Sequence, residues 1–249
     1  MGTHPTRTGV VEGSPEDLGR GPETPTALVF GGRSGIGAAC VDRLRMVGLR
    51  ATGVDKIDAD VRVRRPVWEV IADANPRYVV YSAGVTALDW IGDASYMDFK
   101  RIMDINVYGF INVMQGLLAL NETHEVPRSI VAITSDAAWR PMRTSLNYCA
   151  SKAALEMAVK VAARELAPRG WKVNAVAPGK VSDTSMTEYV DKRVTELRGW
   201  SAEEAEDREL ASNTLGRMVH PVEVAEVVVS TLLGPQAQTG AVIPVNGGR

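Results

Sequence analysis

The chain has 249 residues, of which 45% are hydrophobic and 23% are charged, and its formal net charge is −2. These values are ordinary for a soluble globular protein and exclude the basic surface that nucleic-acid binding needs. Two cysteines, Cys40 and Cys149, are too few for a disulfide framework and indicate a reducing, cytoplasmic setting. The three histidines lie far apart in the sequence, so we expect no protein-bound metal.

Residues 1–26 are rich in Gly, Pro, Thr and charged residues and lack the apolar core of a signal peptide. We interpret them as a disordered tail, a solvated extension being favoured over a regulatory or partner-binding segment. Residues 27–249 are interpreted as one domain. No apolar run reaches the roughly 18 residues that a membrane span needs, so we expect no membrane association.

From residue 27 onward, short apolar runs alternate with longer helical runs. The predicted strands are 26–30, 50–55, 77–84, 128–135, 171–179 and 240–248. A helix is predicted after Gly35, and further helical runs are 96–120, 146–167 and 221–233. This alternation predicts an α/β fold, a single Rossmann-type doubly wound parallel sheet with helices on both faces. Ligands of such a sheet bind beyond the carboxyl ends of its strands.

A glycine-rich turn, GGRSGIG, directly follows the first predicted strand and contains Gly31, Gly35 and Gly37. Glycine permits positive φ and the close approach of a ligand to the backbone. The helix that follows offers unpaired N–H groups and the positive end of its dipole to a pyrophosphate. We therefore predict a dinucleotide-phosphate site, in preference to a turn without a ligand.

Asp55 ends the second predicted strand, where an acidic side chain hydrogen-bonds the adenosine ribose hydroxyls of a dinucleotide. A carboxylate there repels a 2′-phosphate, which favours NAD over NADP, whereas the nearby cations Arg33 and Lys56 oppose that preference. The stretch from Asp55 to Asp60 and Val61 is too short for a helix plus a strand, so a covering helix is expected to be shortened or missing. Asp60 caps a turn or contacts adenine, and the sequence leaves both open.

Tyr148 and Lys152, in the sequence YCASK, lie four positions apart in a helical run and so share one helix face. A free phenol has a pKa of about 10, and an ammonium nearby lowers it by about 1–3 units. The pair therefore indicates proton-transfer chemistry, with an amphipathic pair of no catalytic role as the alternative.

Together these motifs resemble the classical short-chain dehydrogenase/reductase family over about residues 27–248. The resemblance also rests on YSAG (81–84), Asn106 in DINVYG, Ser135 in AITSDAA, NAVAPG (174–179) and the C-terminal run LGRMVHPVEVAEVV. Two departures from the family pattern are Phe30, in place of a threonine, and Ser82, in place of an asparagine. Both are expected to affect loop hydrogen bonding more than chemistry.

The resemblance implies an oxidoreductase whose catalytic residues are Asn106, Ser135, Tyr148 and Lys152. Tyr148 would exchange a proton with the substrate oxygen, which Ser135 would hold. Lys152 would stabilise the phenolate and anchor the nicotinamide ribose, and Asn106 would hold a water that links Lys152 to solvent. The implied cofactor contacts are Gly31, Arg33, Ser34, Gly35, Ile36, Gly37, Asp55, Asp60, Val61, Ala83, Gly84, Tyr148, Lys152, Pro178, Gly179, Val181 and Thr184. Family members commonly pair the helices at 96–120 and 146–167, so a homotetramer is expected.

Substrate specificity is expected from the segment after Ser135 and from residues 182–215, which are typical of a lid. The candidates are Trp139, Arg140, Met142, Arg143, Met186, Tyr189 and Trp200. Tyr189 and Trp200 are equally compatible with packing between lid helices, and both arginines with a solvated surface role.

The stretch TSDAAWRPMRTSLNYCASKAAL is most similar to the 2,3-dihydro-2,3-dihydroxybenzoate dehydrogenase branch of the family. Arg140 and Arg143 are candidates for a carboxylate of such a substrate, but neither falls where that branch's arginine is expected. We therefore predict an NAD-dependent enzyme for a cyclic alcohol or dihydrodiol and its ketone. The alternatives are a 3-oxoacyl-thioester reductase and an NAD-binding sensor or scaffold without turnover.

Overall fold

A computed structural model of the chain describes residues 24–121 and 128–249. Most of the predicted tail, residues 1–23, lies outside the described residues. The first strand begins at Thr26, so the last residue of the predicted tail already belongs to the sheet.

The described residues form one six-stranded parallel sheet in the order β2-β1-β3-β4-β5-β6. Its strands are β1 (Thr26–Phe30), β2 (Arg50–Val54), β3 (Tyr78–Tyr81), β4 (Ser129–Ile133), β5 (Lys172–Pro178) and β6 (Val242–Val245). Each lies within a predicted strand, and most are shorter than predicted because the residues after a strand turn into the ligand-binding loops. The prediction of a doubly wound parallel sheet is confirmed.

Eight α-helices connect and cover these strands within the described residues. They are α1 (Gly35–Met46), α2 (Arg64–Ala74), α3 (Tyr96–Met103), α4 (Gly109–Asn121), α5 (Leu146–Leu166), α6 (Ser185–Arg198), α7 (Ala202–Leu210) and α8 (Pro221–Leu233). Residues 55–63 contain only turns, which agrees with the missing covering helix and leaves β2 at the edge of the sheet.

The alternation of side chains along β1 shows how the sheet is buried on both faces. Leu28 and Phe30 point to the cluster formed with α2, α4 and α5, whereas Ala27 and Val29 point to the cluster formed with α1 and α8. All four are almost completely buried. Burying one such large apolar side chain stabilises the fold by about 1.5–3 kcal/mol, so the two helical layers hold the strand ends rigidly in place.

The predicted helix at 96–120 is interrupted by a π-helical turn at Asp104–Tyr108, between α3 and α4. By length and composition alone the run Tyr96–Leu120 is long and apolar enough to cross a membrane, but half of its apolar window is buried inside the fold. Core helices of globular proteins commonly have this property. The π turn contains Asn106, and such turns are frequent at functional sites.

Candidate active site

The carboxyl ends of the strands open into a cleft with a volume of about 1110 Å³. Most of the residues predicted to bind cofactor or substrate line this one cleft. The predicted residues that do not line it are Arg33, Gly37, Asn106, Trp139 and Tyr189. Gly37 and Asn106 are buried behind its wall, whereas Arg33, Trp139 and Tyr189 are exposed.

The glycine turn after β1 is packed so closely that side chains cannot replace its hydrogens. A Cβ at Gly31, whose φ is +76°, would lie 2.7 Å from the backbone nitrogen of Ala83 at the end of β3. A Cβ at Gly37 would collide with the carbonyl of Gly31. The turn therefore brings bare backbone to the cleft wall, as a phosphate cradle requires.

The N-terminus of α1 is free to bind an anion. Its N-cap, Ser34, makes no side-chain hydrogen bond to the helix, and no acidic residue lies in the first turn. A Cβ at Gly35 would be 3.3 Å from the Cγ2 of Thr184, so Thr184 at the start of α6 faces this turn from across the cleft. These groups fit the pyrophosphate of a dinucleotide because unpaired N–H groups and the helix dipole favour negative charge.

Beside the end of β2, a second carboxylate accompanies Asp55. Asp58 accepts a hydrogen bond from the backbone N–H of Asp55 at 2.9 Å and forms an ion pair with Arg33 at 2.5 Å. This role of Asp58 was not predicted from the sequence. The signal that could have indicated it is the D-x-x-D spacing, because an aspartate side chain commonly accepts a hydrogen bond from the backbone of the same turn. Arg33, a cation that was expected to oppose the preference for NAD over NADP, is therefore already paired with Asp58.

The sequence left two roles open for Asp60, capping a turn and contacting adenine, and the structure shows the contacts of a turn cap. Its carboxylate accepts hydrogen bonds from the backbone N–H of Arg62 at 3.0 Å and from the Arg62 guanidinium, and the ion-pair distance is 2.6 Å. The hydrogen bonds from Arg62 lower the pKa of Asp60. Its charge is thus compensated within the turn, and neighbouring Val61 is buried against the core.

Asn106 connects three parts of the site and is completely buried. Its side-chain oxygen accepts from the Val85 N–H at 2.8 Å, and its amide donates to the Val85 carbonyl at 3.0 Å and to the Ser151 hydroxyl at 2.9 Å. A Cβ at Gly84 would lie 3.6 Å from the Asn106 oxygen and 3.5 Å from Lys152 Nζ. The side-chain amide therefore fixes the loop after β3 against α5, a positioning role that the sequence analysis did not identify.

Tyr148 and Lys152 share one face of α5, as predicted from their spacing. Lys152 Nζ is buried, donates a hydrogen bond to the Ile133 carbonyl at 2.9 Å, and lies 5.6 Å from the centre of the Tyr148 ring. Burial lowers the pKa of Lys152 to about 8, and the nearby carboxylate of Glu156 opposes that change. Glu156 is itself buried one turn further along the same face.

The pKa of Tyr148 differs from our expectation. Burial raises it to about 12, an interaction with the Ser135 hydroxyl opposes the rise, and Lys152 is not among the groups that shift it. The prediction that Lys152, together with the positive nicotinamide of a bound cofactor, lowers this pKa stays a prediction, but in the chain by itself the effect of burial dominates. The physical reason is that desolvation of the phenolate outweighs the effect of an ammonium whose proton is directed at the Ile133 carbonyl.

Ser135 begins a short 3-10 turn at the end of β4, and its hydroxyl accepts a hydrogen bond from the Ala137 N–H at 3.2 Å. The next residue, Asp136, is buried and pairs with Arg140 at 3.4 Å and with Arg249 at 3.7 Å. Arg140 is therefore engaged by a carboxylate of the chain itself. The sequence analysis missed Arg249, which only the fold brings from the end of the chain to this turn.

The lid segment forms α6 and α7 and covers the far end of the cleft. Trp200, between them, packs against a small apolar cluster that includes Leu88, Val194 and Ala205, which supports the packing role for this residue. Met142, Arg143 and Met186 line the cleft together with Trp200. Two lid arginines that the sequence analysis did not single out, Arg198 and Arg208, line it as well.

Residues 178–184 join β5 to the lid. Gly179 packs against Asn246, where a Cβ would approach the Asn246 side chain to 3.1 Å, and Val181 pairs with Val219 in an isolated bridge. Thr184 is the N-cap of α6, and its hydroxyl accepts from the Thr187 N–H at 3.1 Å. Pro178, Gly179, Val181 and Thr184 all line the cleft, as the resemblance implied.

Comparisons with known proteins identify the relatives of this chain. Residues 49–249 match the family model described as enoyl-(acyl carrier protein) reductase. The chain is 34% identical over 173 residues to 2-(S)-hydroxypropyl-CoM dehydrogenase 3 of Xanthobacter autotrophicus. The aligned region covers 68% of this chain and 64% of that protein. It is 30% identical over 244 residues to human L-xylulose reductase, covering 89% of this chain and 94% of that protein.

Solved structures show the same relationship. NAD⁺-bound xylitol dehydrogenase superposes with a TM-score of 0.82 at 25% identity, covering 90% of this chain and 98% of that chain. Actinorhodin polyketide ketoreductase with NADPH superposes with a TM-score of 0.81 at 28% identity, covering 90% and 96%. The chain therefore belongs to the short-chain dehydrogenase/reductase family, oxidoreductases that act on CH–OH groups.

Proposed function

We propose that this protein transfers hydride between NAD and a secondary alcohol or its ketone, with Tyr148 as the acid–base group. The observation that carries the proposal is the continuity of one cleft. The uncapped N-terminus of α1 and the carboxylates of Asp55 and Asp60 line one end of it. Ser135, Tyr148 and Lys152 line the other end. A dinucleotide bound along this cleft would place its nicotinamide near Tyr148.

The cofactor preference follows from the charges around β2. Arg33 would bind the 2′-phosphate of NADP only by leaving Asp58, with which it is paired. Asp55 lines the cleft at the end of β2, where its carboxylate would repel a 2′-phosphate, because like charges repel strongly at short range. Solved relatives include both NAD⁺ and NADPH complexes, so the preference for NAD rests on these residues of the chain itself.

When bound, the nicotinamide accepts or supplies the hydride. The chain supplies the proton chemistry: Tyr148 takes the hydroxyl proton during oxidation and returns it during reduction, while Ser135 holds the substrate oxygen. Lys152 would hold a ribose hydroxyl and relay the proton. A cationic ring beside Tyr148 would oppose the effect of burial on its pKa, so cofactor binding and activation of the phenol are coupled.

The substrate proposed from the sequence is a cyclic alcohol or dihydrodiol, with a 3-oxoacyl thioester as the alternative. The apolar residues Met142, Met186 and Trp200 along the cleft support a compact ring. The thioester alternative is favoured by relatives such as the FabG reductase of Aggregatibacter actinomycetemcomitans, 33% identical over 204 residues. Turnover of an acyl thioester with a cofactor preference for NADP would decide for this alternative.

A homo-oligomer and a cytoplasmic setting are part of the proposal. Exposed apolar side chains on α4 and α5, among them Ile111, Met157 and Val161, support pairing of these helices between subunits. Cys40 and Cys149 are both free thiols, which is compatible with a reducing compartment. Sedimentation velocity of the purified protein tests the oligomer directly.

The proposed function is tested by NADH formation with NAD and a panel of cyclic alcohols, dihydrodiols and hydroxy acids. We expect Tyr148→Phe to lower kcat by at least ~10³-fold, because the phenyl ring cannot transfer the proton, while the Kd for NAD changes less than about twofold. Leu146→Ala, on an exposed side chain of the same helix, is the matched control and should keep its activity. Tight NAD binding without turnover of any substrate would favour the sensor alternative instead.

A further inference from the structure

The cleft contains two kinds of arginine and lysine side chains. Several are paired with carboxylates of the chain: Arg62 with Asp60, Arg101 with Asp98, Lys180 with Asp191, and both Arg140 and Arg249 with Asp136. Arg143, Arg198 and Arg208 differ, because none of the carboxylate side chains that the structure describes forms an ion pair with them. All three line the part of the cleft under the lid.

These three arginines form one cluster across the lid and the loop before α5. Arg198 donates to the backbone carbonyl of Arg143 at 2.5 Å and to the hydroxyl of Thr144 at 3.2 Å. The guanidinium carbons of Arg198 and Arg208 lie 5.0 Å and 4.6 Å from the centre of the Trp200 ring. Stacking on Trp200 orients both guanidinium groups, while one nitrogen of Arg198 is already engaged by the loop.

One donor of this cluster is buried without a partner. The Nε of Arg198 is inaccessible to solvent and makes no hydrogen bond with any group that the structure describes. A buried unpaired donor costs about 1–3 kcal/mol, so it calls for an explanation by a ligand or a neighbouring group. Burial and the neighbouring charge of Arg143 also lower the pKa of Arg198.

The loop that carries Arg143 is held in a strained conformation. Thr144 is buried and has a φ of +63°, a left-handed backbone conformation that β-branched residues rarely adopt. Its carbonyl accepts a hydrogen bond from the Asp89 N–H at 2.9 Å, and its hydroxyl accepts from Arg198. Strain of this kind persists where the surroundings fix a functional geometry, here the position of Arg143 opposite the lid.

We propose that Arg143, Arg198 and Arg208 bind an anionic group of the substrate while its alcohol or ketone carbon lies at Tyr148. This inference rests on the proposed function and names its substrate class, a secondary alcohol or ketone that carries a carboxylate, sulfonate or phosphate. All three groups present oxygen acceptors to the forked N–H donors of arginine. Arg140, one of the two arginines considered for a carboxylate from the sequence, is excluded from this role by its pairing with Asp136.

The test compares ketones of similar shape that differ in charge. The probes are 4-oxopentanoate, 3-oxobutane-1-sulfonate and 3-oxobutyl phosphate, and the neutral reference is 5-methylhexan-2-one. For each probe, kcat/KM is measured by NADH oxidation, and Kd is measured by calorimetry on the protein saturated with NAD, which has no hydride to transfer to a ketone. We expect at least one anionic probe to exceed the neutral ketone by about tenfold or more in both quantities, and the strongest probe identifies the anionic group.

The variants Arg143→Gln and Arg208→Gln should each lower the ratio of kcat/KM for the anionic probe to that for the neutral ketone by about five- to tenfold. Arg198→Gln should do the same, but because Arg198 also binds the loop backbone, the other two variants are decisive. The matched control is Arg164→Gln, an exposed arginine on α5 outside the cleft, which should keep the full preference.

Equal values for charged and neutral probes, or a preference that survives the Arg143 and Arg208 substitutions, would overturn the inference. The two proposals fail separately. Reduction of the neutral and anionic ketones at equal rates leaves the oxidoreductase function in place and removes the anion site. Arginine-dependent binding of an anionic probe without NADH oxidation supports the anion site and speaks against the proposed reaction.

Discussion

The two ends of the cleft differ in whether their arginines form ion pairs with carboxylates of the chain. At the end beside β2, Arg33 and Arg62 are paired with Asp58 and Asp60. At the lid end, Arg143, Arg198 and Arg208 have no such partner among the described carboxylates. The two arginines at the first end are therefore paired within the chain, where the uncapped N-terminus of α1 is left for an anion, whereas the arginines at the lid end keep positive charge for a ligand to neutralise.

The two ends also differ in what holds them rigid. Around the glycine turn, rigidity comes from backbone packed on backbone, at Gly31 against Ala83 and at Gly37 against Gly31. Under the lid it comes from side chains, through the stacking on Trp200 and the hydrogen bonds from Arg198. Substitutions should therefore be more damaging at the first end and more selective at the second.

Among the substitutions that test this contrast, Gly37→Ala is expected to have the largest effect. Its Cβ would collide with the Gly31 carbonyl, so the turn must move, and we expect NAD binding to weaken by about 100-fold or the protein to lose about 2–4 kcal/mol of unfolding free energy. Calorimetric NAD binding and urea unfolding measure the two outcomes. Gly92→Ala is the control, since a Cβ there meets nothing within 4 Å. Equal behaviour of the two variants would show that the tight turn is not needed.

A smaller and more specific effect is expected from Asp58→Asn. The substitution removes the carboxylate that pairs with Arg33, so Arg33 becomes available to a 2′-phosphate, and the ratio of the Kd values for NADP and NAD should fall by about tenfold. Fluorescence titration with each reduced cofactor measures this ratio without turnover.

Asp73→Asn, an exposed aspartate on α2, is the control for the loss of one negative charge. An unchanged ratio in Asp58→Asn would mean that Asp55 alone determines the preference and that the pairing of Arg33 is irrelevant. This outcome would weaken the contrast between a compensated and an uncompensated end of the cleft.

The smallest effect concerns pH. The Glu156 carboxylate raises the pKa of Lys152 and so opposes the burial that lowers it to about 8. If catalysis needs charged Lys152, kcat/KM falls as the pH rises through that value. Glu156→Gln removes the opposing charge, so the fall should begin at a lower pH. Glu165→Gln, exposed on the same helix, should leave the profile in place, and an unmoved profile in both variants would exclude this role for Glu156.

Much of the fold followed from patterns that are local in the sequence. The strand TALVF is apolar at every position except its first, which indicates burial on both faces, and the glycine turn after it marks the start of α1. Tyr148 and Lys152 share a face because a helix returns to the same side every 3.6 residues. Periodicity and turn chemistry act over a few residues, so a single sequence contains them.

Only the tertiary structure decided which charges meet. Arg249 reaches Asp136, and Arg198 reaches the loop at Arg143, because the sheet brings distant strand ends together. The tertiary structure also decided the pKa of Tyr148, because this pKa depends on how far the fold excludes water from the phenol and not on the spacing of Tyr148 from Lys152 in the sequence. The sequence by itself determined the sheet, the family and the residues at the strand ends. Ion pairing and desolvation act through space between distant segments, so only the folded chain determined which arginines are left for a substrate.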